Sequence, residues 1–294
     1  MLDVVLAPSR ALEAGTDVPG TVELRQGGSA ATTARWLARL GARSSLVAAV
    51  GRDPAGRALV AAVRADRVVP RIARVAGART GRIGVVVTPD GERSFVADRG
   101  AADRLGPGDL RPEWFSGVGA LHLPAYSLLE PLGTAGRRAI DLARGAGALT
   151  SLDVASIGPL LAHGRRFAQE LVEGTRADLL FATAAEAEAL LGRAAVEGLL
   201  DFAPHVVVKR GAGGATLLAR VGDDRLRFEV ATEHLVAADT TGAGDAFDAG
   251  FLHAWLLARG AGQSVAAALQ RAALAGHRAA SRHLTAVRPD IALA

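Results

Sequence analysis

Short apolar segments alternate with longer segments of helical periodicity over the chain after Pro107. The predicted order is strand 120–123, helix 131–146, strand 149–153, helix 159–174, strand 179–181, helix 184–191 and strand 206–209, then strands 215–218 and 226–230 and a C-terminal helix at 264–283. Strands separated by helices predict βαβ units, in which neighbouring strands run parallel and the crossovers are right-handed. The pattern therefore indicates an α/β protein with a mostly parallel sheet.

The N-terminal third has a more mixed pattern. Predicted strands lie at 1–7, 21–25, 45–50, 71–75, 82–88 and 93–98, and predicted helices at 33–40 and 54–65. Pro89-Asp90-Gly91 is a hairpin-type turn signal between two of these strands. We expect the strands at 21–25, 71–75, 82–88 and 93–98 to form a small separate sheet. The prediction is one domain over residues 1–294, with a β lid from roughly 8–25 and 70–100 that excludes water from a transfer reaction.

Composition narrows the class of protein. Of the 294 residues, 50% are hydrophobic and 22% are charged, as in soluble globular proteins. The chain contains no cysteine, which excludes disulfides, thiolate metal sites and a cysteine nucleophile. Met1-Leu2-Asp3 opens without a basic and apolar secretory leader, and no apolar run approaches about 18 residues. We therefore expect a cytoplasmic protein without a membrane partner.

The positive charge of the chain comes almost entirely from arginine. The net charge is +4, the pI is about 10.6, and Lys209 is the only lysine. Because arginine stays protonated at any ordinary pH, the high pI is weak evidence for nucleic acid binding. Aromatic residues make up only 4% of the chain and no block of like charges occurs, which leaves few stacking platforms for single strands. We expect no nucleic acid partner.

A glycine-rich turn leads directly into an apolar helix in the C-terminal part of the chain. The glycines of Gly242-Ala243-Gly244 permit a tight turn and close backbone approach, and the free N–H groups that begin a helix attract anions. Asp245 follows at the junction. It can be a helix cap or first-turn acid worth about 1 kcal/mol, or the base that deprotonates an attacking hydroxyl beside a bound phosphoryl group. On local chemistry alone the first interpretation is the simpler one.

A second glycine turn precedes the predicted helix at 33–40. Gly27-Gly28-Ser29-Ala30-Ala31-Thr32 can present open backbone to a small polar ligand, or it can be a plain strand-to-helix turn, and the sequence favours neither. Elsewhere Asp153, Thr183 and Lys209 each follow a predicted strand. Because ligands of parallel sheets bind beyond the carboxyl ends of the strands, we expect these residues and the 242–245 loop to converge on one crevice.

Together these motifs resemble those of the ribokinase-like, or PfkB-type, carbohydrate kinase family. Asp239 to Phe247, followed by Ala249-Gly250-Phe251, matches the C-terminal signature of that family, and Gly27 to Ala31 with Ala34 and Gly41 matches the N-terminal one. The supporting matches are Gly51-Arg52-Asp53 with Gly56, Thr80-Gly81, Asp98-Arg99-Gly100, and Lys209-Arg210-Gly211 with Gly213-Gly214. The resemblance covers about residues 3 to 285 and depends on the order and spacing of all these motifs.

The resemblance implies a three-layer α/β/α fold with a mostly parallel central sheet and a small β-sheet lid. It also implies an enzyme that transfers the γ-phosphate of ATP to a hydroxymethyl group of a sugar, nucleoside or sugar-like molecule, usually with Mg²⁺. By the same resemblance Asp245 is the general base, and the amides of Gly242, Ala243 and Gly244 form an anion hole. A monovalent cation is left open as a further cofactor.

Further roles follow from the resemblance, residue by residue. The predicted substrate-binding residues are Asp3, Gly27, Gly28, Thr32, Arg99 and Asp245. The predicted ATP-binding residues are Thr183, Lys209, Gly211, Gly214, Thr240, Gly242 and Gly244, and Glu186 is predicted to organise Mg²⁺ through water. Two of these have a plain alternative: Lys209 can be a surface lysine that extends over apolar neighbours, and Arg99 can be an exposed charge rather than a clamp for an acidic sugar.

Two positions depart from the pattern of the family. Thr32 replaces the asparagine of the N-terminal signature, and Thr183 replaces the asparagine of the N-x-x-E motif that includes Glu186. Threonine lacks the paired donor and acceptor of an amide, so the first change bears on the identity of the sugar and the second on Mg²⁺ geometry and rate. The chain also lacks the apolar strand ending in Gly-Asp that usually precedes the position of Asp3.

Two functions follow as hypotheses. The first is an ATP-dependent sugar kinase, and the alternative is a catalytically weak or inactive relative that binds a sugar or nucleotide as a sensor. A dinucleotide-binding dehydrogenase is disfavoured because no G-x-G-x-x-G follows the first strand, and a Walker-type ATPase because Lys209 does not stand in G-x-x-x-x-G-K-[ST]. A homodimer through the lid is also compatible with the sequence, since the exposed face of a small sheet gains from cover.

Overall fold

The computed structural model shows two compact units. The first comprises Met1–Leu105, Val236–Gly242 and Arg282–Ala294, and the second comprises Gly106–Leu235 and Ala243–Ser281. The structure describes all residues except 234, 236, 238, 287–289 and 294. Within this described part of the chain, no helix is both long and apolar enough to cross a membrane.

The first unit is built from short strands and two helices of its N-terminal segment. In chain order these are β1 (Leu2–Pro8), β2 (Gly20–Gln26), α1 (Ser29–Arg39), β3 (Ser45–Gly51), α2 (Pro54–Ala65), β4 (Val69–Val75), β5 (Arg82–Val87) and β6 (Arg93–Asp98). Four strands form a sheet in the order β2-β1-β5-β6, in which the central pair is parallel and each outer strand is antiparallel to its neighbour. This sheet contains three of the four segments expected in the lid, and its role as a lid stays a prediction.

The predicted strand at 71–75 is not part of that sheet. It lies within β4, which pairs in parallel with β3 from Ser45 opposite Val69 to Gly51 opposite Val75. The assignment to the small sheet is wrong because α2 supplies the crossover connection that parallel pairing with β3 requires. Helix α2 has the predicted bounds and begins after Asp53, whose Oδ1 accepts a hydrogen bond from the N–H of Gly56 at 2.8 Å.

The second unit contains the larger sheet. Its elements are β7 (Ala120–Pro124), α3 (Gly133–Gly145), β8 (Leu149–Asp153), α4 (Ile157–Leu161), α5 (Arg165–Gly174), β9 (Leu179–Thr183), α6 (Ala184–Leu191), β10 (His205–Lys209), β11 (Ala215–Val221), β12 (Asp224–Val230), α7 (Ala243–Gly260) and most of α8 (Val265–Thr285). The strand order is β12-β11-β10-β9-β8-β7, with β7 to β10 parallel and β11 and β12 antiparallel. The predicted helix at 159–174 is two helices, because Gly164 between them takes a φ of +89°.

The six-stranded sheet has helices on both faces. On one face Leu180 of β9 packs with Ile140 of α3 and Leu190 of α6 in a single buried apolar cluster. The next residue, Phe181, points to the opposite face because side chains alternate along a strand. Its ring meets that of Phe251 of α7 edge-on, with the centroids 5.3 Å apart. The second unit therefore has the helix, sheet and helix layers that the resemblance predicts.

Candidate active site

The chain passes from the first unit to the second at the turn that precedes α7. Gly242 has a φ of +82°, in the left-handed region that residues with a Cβ rarely adopt. A Cβ at this position would lie 3.0 Å from His283 Nε2 and 3.3 Å from Thr32 Cγ2. Both the conformation and the available space therefore require glycine here.

Helix α7 begins at Ala243, and Asp245 lies in its first turn. The N–H groups of a first turn have no partner within the helix and carry partial positive charge, so they can bind an anion. A Cβ on Gly244 would lie 3.5 Å from Lys209 Nζ, so the ammonium group lies against this turn. The turn brings together a carboxylate, free amides and a cation, which are the groups that phosphoryl transfer to an alcohol needs.

Two residues that the sequence did not single out hold the preceding turn in place. Trp36 Nε1 donates a hydrogen bond to His283 Nδ1 at 2.9 Å, and His283 Nε2 lies 2.7 Å from the carbonyl oxygen of Thr241. Because tryptophan can only donate, Nδ1 is the acceptor, and the proton is on Nε2, which donates to Thr241. The pair left no local signal because its members lie 247 residues apart, on α1 and α8.

Asp239, the first residue of the C-terminal signature, is bound by two arginines of the four-stranded sheet. Arg25 Nη1 lies 2.9 Å from Asp239 Oδ2, and Arg93 Nη2 lies 3.0 Å from Oδ1. Arg93 also donates to the hydroxyl of Thr240 at 3.1 Å, and the N–H of Thr241 donates to Asp239 at 2.9 Å. Thr240, a predicted ATP-binding residue, is thus held by β6. Sequence reasoning missed both arginines because they resemble ordinary surface charges on strands.

The N-terminal glycine turn packs against Asp3. A Cβ on Gly27 would overlap the Asp3 carboxylate, and Gly28 precedes α1 with a φ of +100°. Burial raises the pKa of Asp3 to about 6, against the lowering effect of nearby positive charges that include Arg25. Oδ1 of Asp3 is buried and has no hydrogen-bond partner among the described residues. The structure therefore brings Asp3, Gly27 and Gly28 together.

Thr32 and Arg99 are each engaged within their own segment. The hydroxyl of Thr32 lies 3.3 Å from the carbonyl oxygen of Gly28, one turn earlier. Arg99 Nε donates to Asp103 Oδ1 at 2.6 Å across a short 3-10 turn. The predicted contacts of Thr32 and Arg99 with a substrate stay predictions.

Thr183 and Glu186 form a reciprocal cap at the start of α6. The N–H of Glu186 donates to the hydroxyl of Thr183 at 3.2 Å, and the N–H of Thr183 donates to Glu186 Oε2 at 2.8 Å. This is a capping box, and the T-x-x-E spacing in the sequence is its known signal. Threonine therefore fills the capping role that asparagine also fills, and the carboxylate of Glu186 has a fixed position.

The donors for a metal ion are sparse. Among the residues that the structure describes, no three histidine, aspartate or glutamate side chains are grouped so that they could hold a metal ion. Mg²⁺ does not need such a group, because it usually keeps several waters and is bound by one or two carboxylates and the phosphates of a substrate. Glu186 is half-buried and has its carboxylate fixed by the cap, so it fits that kind of site.

Lys209 lies at the end of β10 and is enclosed by two carboxylates. Its Nζ lies 3.2 Å from Asp153 Oδ1 and 3.0 Å from Asp248 Oδ2, and its side chain is only 10% exposed. Burial alone would lower the pKa of Lys209, but Asp153 and Asp248 outweigh burial and the pKa lies above its usual range. The alternative of a surface lysine is therefore wrong. The expected convergence of Asp153 and Lys209 near the start of α7 is confirmed, while contact of Lys209 with phosphate stays a prediction.

Gly211 and Gly214 shape the turn between β10 and β11. Gly211 has a φ of +55° and Gly214 a φ of +84°, and a Cβ on Gly214 would overlap the carbonyl oxygen of Val230. The N–H of Arg210 donates to the carbonyl of Gly214 at 2.8 Å and closes the turn. These glycines are thus required by the backbone itself, and their predicted part in nucleotide binding stays a prediction.

The relatives of this chain include fructokinases. The model of the pfkB family carbohydrate kinases matches residues 1–290. Fructokinase-1 from Zea mays is 33% identical over 236 residues, which cover 75% of this chain and 71% of the relative. Fructokinase-1 from Oryza sativa subsp. japonica is 33% identical over 235 residues, with the same two shares of 75% and 71%.

Solved structures share the fold. Adenosine kinase from Sinorhizobium meliloti has a TM-score of 0.79 at 25% identity, and the match covers 100% of this chain and 94% of that one. Aminoimidazole riboside kinase from Salmonella enterica, complexed with aminoimidazole riboside and an ATP analogue, has a TM-score of 0.75 at 22% identity over 97% of this chain and 89% of that one. A ribokinase II candidate from E. coli in complex with ATP and Mg²⁺ has a TM-score of 0.76 at 22% identity, over 98% and 92%. The predicted ribokinase-like fold is confirmed, and this chain belongs to the pfkB family of carbohydrate kinases.

Proposed function

We propose that this chain transfers the γ-phosphate of ATP to a hydroxymethyl group of a sugar or sugar-like small molecule. The observation that carries the proposal is the place of Asp245 in the first turn of α7, after a glycine turn whose Gly242 takes a positive φ. A carboxylate beside free helix N–H groups is suited to phosphoryl transfer to an alcohol. A sugar is the proposed acceptor because the relatives above 30% identity include fructokinases.

The transfer follows from the chemistry of these groups. Asp245 takes the proton of the acceptor hydroxyl as the hydroxyl oxygen attacks the γ-phosphorus. The bond from the γ-phosphorus to the β–γ bridging oxygen breaks, and ADP leaves with its electron pair. The amides of Gly242, Ala243 and Gly244 donate to the phosphoryl oxygens on which charge develops.

ATP is proposed to bind at the turns that follow β9 and β10 and at the loop of residues 239–244. Thr183, Gly211, Gly214 and Thr240 are its proposed contacts, in addition to the glycine turn. When bound with ATP, Mg²⁺ neutralises charge on the β- and γ-phosphates. Glu186 would hold the ion through water, with its carboxylate fixed by the cap on Thr183. Dependence of the reaction on a monovalent cation is a further part of the proposal.

The acceptor is proposed to bind at Asp3 and the N-terminal glycine turn. Asp3 is the proposed partner of sugar hydroxyls, because above a pKa of about 6 its carboxylate is a charged acceptor. Gly27 and Gly28 are proposed to contact the acceptor through their backbone, beside the Asp3 carboxylate that packs against Gly27. Thr32 and Arg99 are proposed to tune the choice of sugar, through a hydroxyl and through affinity for an acidic group.

An acceptor screen tests this function. Release of ADP from Mg·ATP is measured with ketohexoses, aldopentoses, sugar acids and nucleosides, and with no acceptor as the blank. We expect release that depends on at least one sugar and a phosphorylated sugar in the product mixture. A Glu188→Gln variant, which changes an exposed acid of α6, serves as the control and should match the parent. Release that no acceptor increases would contradict the proposal.

A non-catalytic sensor is the second candidate, and one observation favours it. Thr32 and Thr183 replace the two asparagines of the family pattern. The hydroxyl of Thr32 donates to the carbonyl of Gly28 before α1, and that of Thr183 accepts from the N–H of Glu186 in the cap of α6. Each hydroxyl is engaged in that bond, and neither supplies the separate donor and acceptor groups of the amide that it replaces. Isothermal titration of sugars and of a non-hydrolysable ATP analogue separates the candidates, because a sensor binds a sugar without releasing ADP.

Assembly and location complete the proposal. On the four-stranded sheet Val22 and Val96 lie on the same face and are 66% and 73% exposed. We propose that a second copy of the chain covers this face, which sedimentation of the parent and of a Val22→Lys variant would test. We also propose a cytoplasmic location, where ATP is available.

A further inference from the structure

A buried ionic cluster lies beneath the first turn of α7 in the second unit. It brings together His122 from β7, Asp153 from β8, Lys209 from β10 and Asp248 from α7. Lys209 is the only lysine in a chain that otherwise uses arginine for its long basic side chains. The proposed transfer does not assign a role to His122 or Asp248.

The ammonium group of Lys209 has its three N–H donors engaged. Nζ lies 3.2 Å from Asp153 Oδ1, 3.1 Å from Asp248 Oδ1 and 3.0 Å from Asp248 Oδ2. The side chain of Asp248 is 0% exposed and that of Asp153 is 5% exposed. A compact ammonium can donate in three directions at once, whereas the longer, planar guanidinium of arginine cannot reproduce that geometry.

Lys209 supplies the positive charge that offsets the buried carboxylates of Asp153 and Asp248, because the neighbouring His122 is neutral. Burial lowers the pKa of His122 to about 4, so the ring is neutral near pH 7. Its Nε2 lies 4.0 Å from Asp248 Oδ2 and has no hydrogen-bond partner in the described part of the chain. Burial raises the pKa of Asp248 and so does the charge of Asp245, while Lys209 opposes both. The negative charge of Glu186 of α6 also raises the pKa of Lys209.

Stability alone does not explain such a cluster. Burial of an ammonium and two carboxylates has a large desolvation cost that pairing at best offsets, and apolar replacements of similar groups are often as stable. Its place in the fold offers another reason. Asp248 is three residues after Asp245 and therefore on the same face of α7, and Lys209 Nζ lies against Gly244 in the same turn.

We infer that Lys209 is a positioning residue that, by binding Asp248 and Asp153, anchors the first turn of α7 to the carboxyl ends of β8 and β10. The anchor places Asp245 and the amides of that turn for the transfer. The expected effect of this anchor on kcat rests on the proposed function. The expected slow exchange of the Lys209 ammonium protons with water does not. This role differs from a direct contact of Lys209 with ATP, which would act on nucleotide affinity.

The kinetic test uses three variants. In Lys209→Met we expect kcat to fall by about 10²-fold, because small misplacement of reacting groups has effects of that size, while KM for ATP and for the acceptor changes less than 3-fold. Lys209→Arg keeps the charge and should not restore kcat. The neutral variant Lys209→Met/Asp153→Asn/Asp248→Asn leaves no unpaired buried charge, so it should unfold at a higher temperature than Lys209→Met and yet keep the low kcat.

The spectroscopic test needs no activity. Protein labelled with ¹⁵N-lysine carries a single side-chain ammonium signal, because the chain has one lysine. We expect this signal to exchange slowly with water in the parent and at least 10-fold faster in Asp248→Asn. Asp178→Asn removes a carboxylate that accepts from Thr150 N at 2.7 Å, outside the cluster, and should leave the lysine signal unchanged.

Each outcome decides the inference. Recovery of kcat together with stability in the neutral variant, or a rise of more than 10-fold in KM for ATP in Lys209→Met at unchanged kcat, would overturn it. Fast exchange of the lysine signal in the parent would overturn it as well. If the parent phosphorylates no acceptor, the proposed function fails, and the exchange experiment alone then decides whether Lys209 anchors α7.

Discussion

Replacement of Gly242 by alanine tests whether the turn before α7 is held in a conformation that only glycine allows. The φ of +82° costs a residue with a Cβ about 1–2 kcal/mol. The new methyl group would lie 3.0 Å from His283 Nε2 and 3.3 Å from Thr32 Cγ2. His283 cannot move freely because Trp36 and Thr241 both bond it, and weakening one such bond costs about 1 kcal/mol. We expect Gly242→Ala to lower the free energy of unfolding by about 2–3 kcal/mol.

The same motif supplies the control. Gly244 lies inside α7, and a Cβ there meets Lys209 Nζ at 3.5 Å, an ordinary contact distance. Alanine favours helix over glycine by up to about 1 kcal/mol, so Gly244→Ala should be neutral or stabilising. Urea unfolding of both variants beside the parent measures the difference. Equal stability of Gly242→Ala and Gly244→Ala would refute the conformation described for this turn.

Three further substitutions test separate contacts. Trp36→Phe removes the donor to His283 Nδ1 and should lower the free energy of unfolding by about 1–3 kcal/mol in urea titrations; an unchanged value would refute the hydrogen bond. For Asp3 the pKa is about 6 in the folded chain and 3.8 as the reference value, so its ionisation disfavours folding and stability falls as the pH rises from about 4 to 6. The free energy of unfolding of Asp3→Asn minus that of the parent should therefore rise by up to about 3 kcal/mol between pH 4 and pH 7. Denaturation of both proteins at both pH values measures this difference, and a difference that does not change with pH would contradict the burial of this carboxyl. Thr183→Ala should lose about 1 kcal/mol with the cap on Glu186, whereas Thr183→Asn should stay within about 0.5 kcal/mol of the parent in thermal unfolding; equal loss in both variants would contradict the capping role.

Local patterns in the sequence predicted most elements of the fold. The helix at 54–65 and the strands at 93–98 and 149–153 have the predicted bounds, because periodicity and flanking turn residues define them locally. The strand at 71–75 was expected in the wrong sheet, since sequence shows that a segment is a strand but not which edge it joins. The apolar periodicity on both sides of Gly164 predicted a single helix at 159–174. It did not indicate the positive φ of Gly164, which separates two helices.

Some features of the candidate site could likewise be predicted from the sequence, and others could not. Motif order predicted the place of Asp245 and the glycine turns, and spacing alone signals the cap between Thr183 and Glu186. The partners of the signature residues could not be predicted, because Arg25 lies 214 residues from Asp239. Lys209 was expected at the site, but its enclosure by carboxylates depends on strands β8 and β10 and helix α7 meeting at one end of the sheet.

The central claim is that Asp245 is the base of an ATP-dependent sugar kinase. Its most direct measurement is the turnover of Asp245→Asn with the best acceptor of the screen, beside calorimetric affinities for that acceptor and for a non-hydrolysable ATP analogue. Loss of a general base predicts that kcat falls by about 10²–10⁴-fold while both affinities stay within about 3-fold of the parent. Turnover that is retained in Asp245→Asn would contradict the claim.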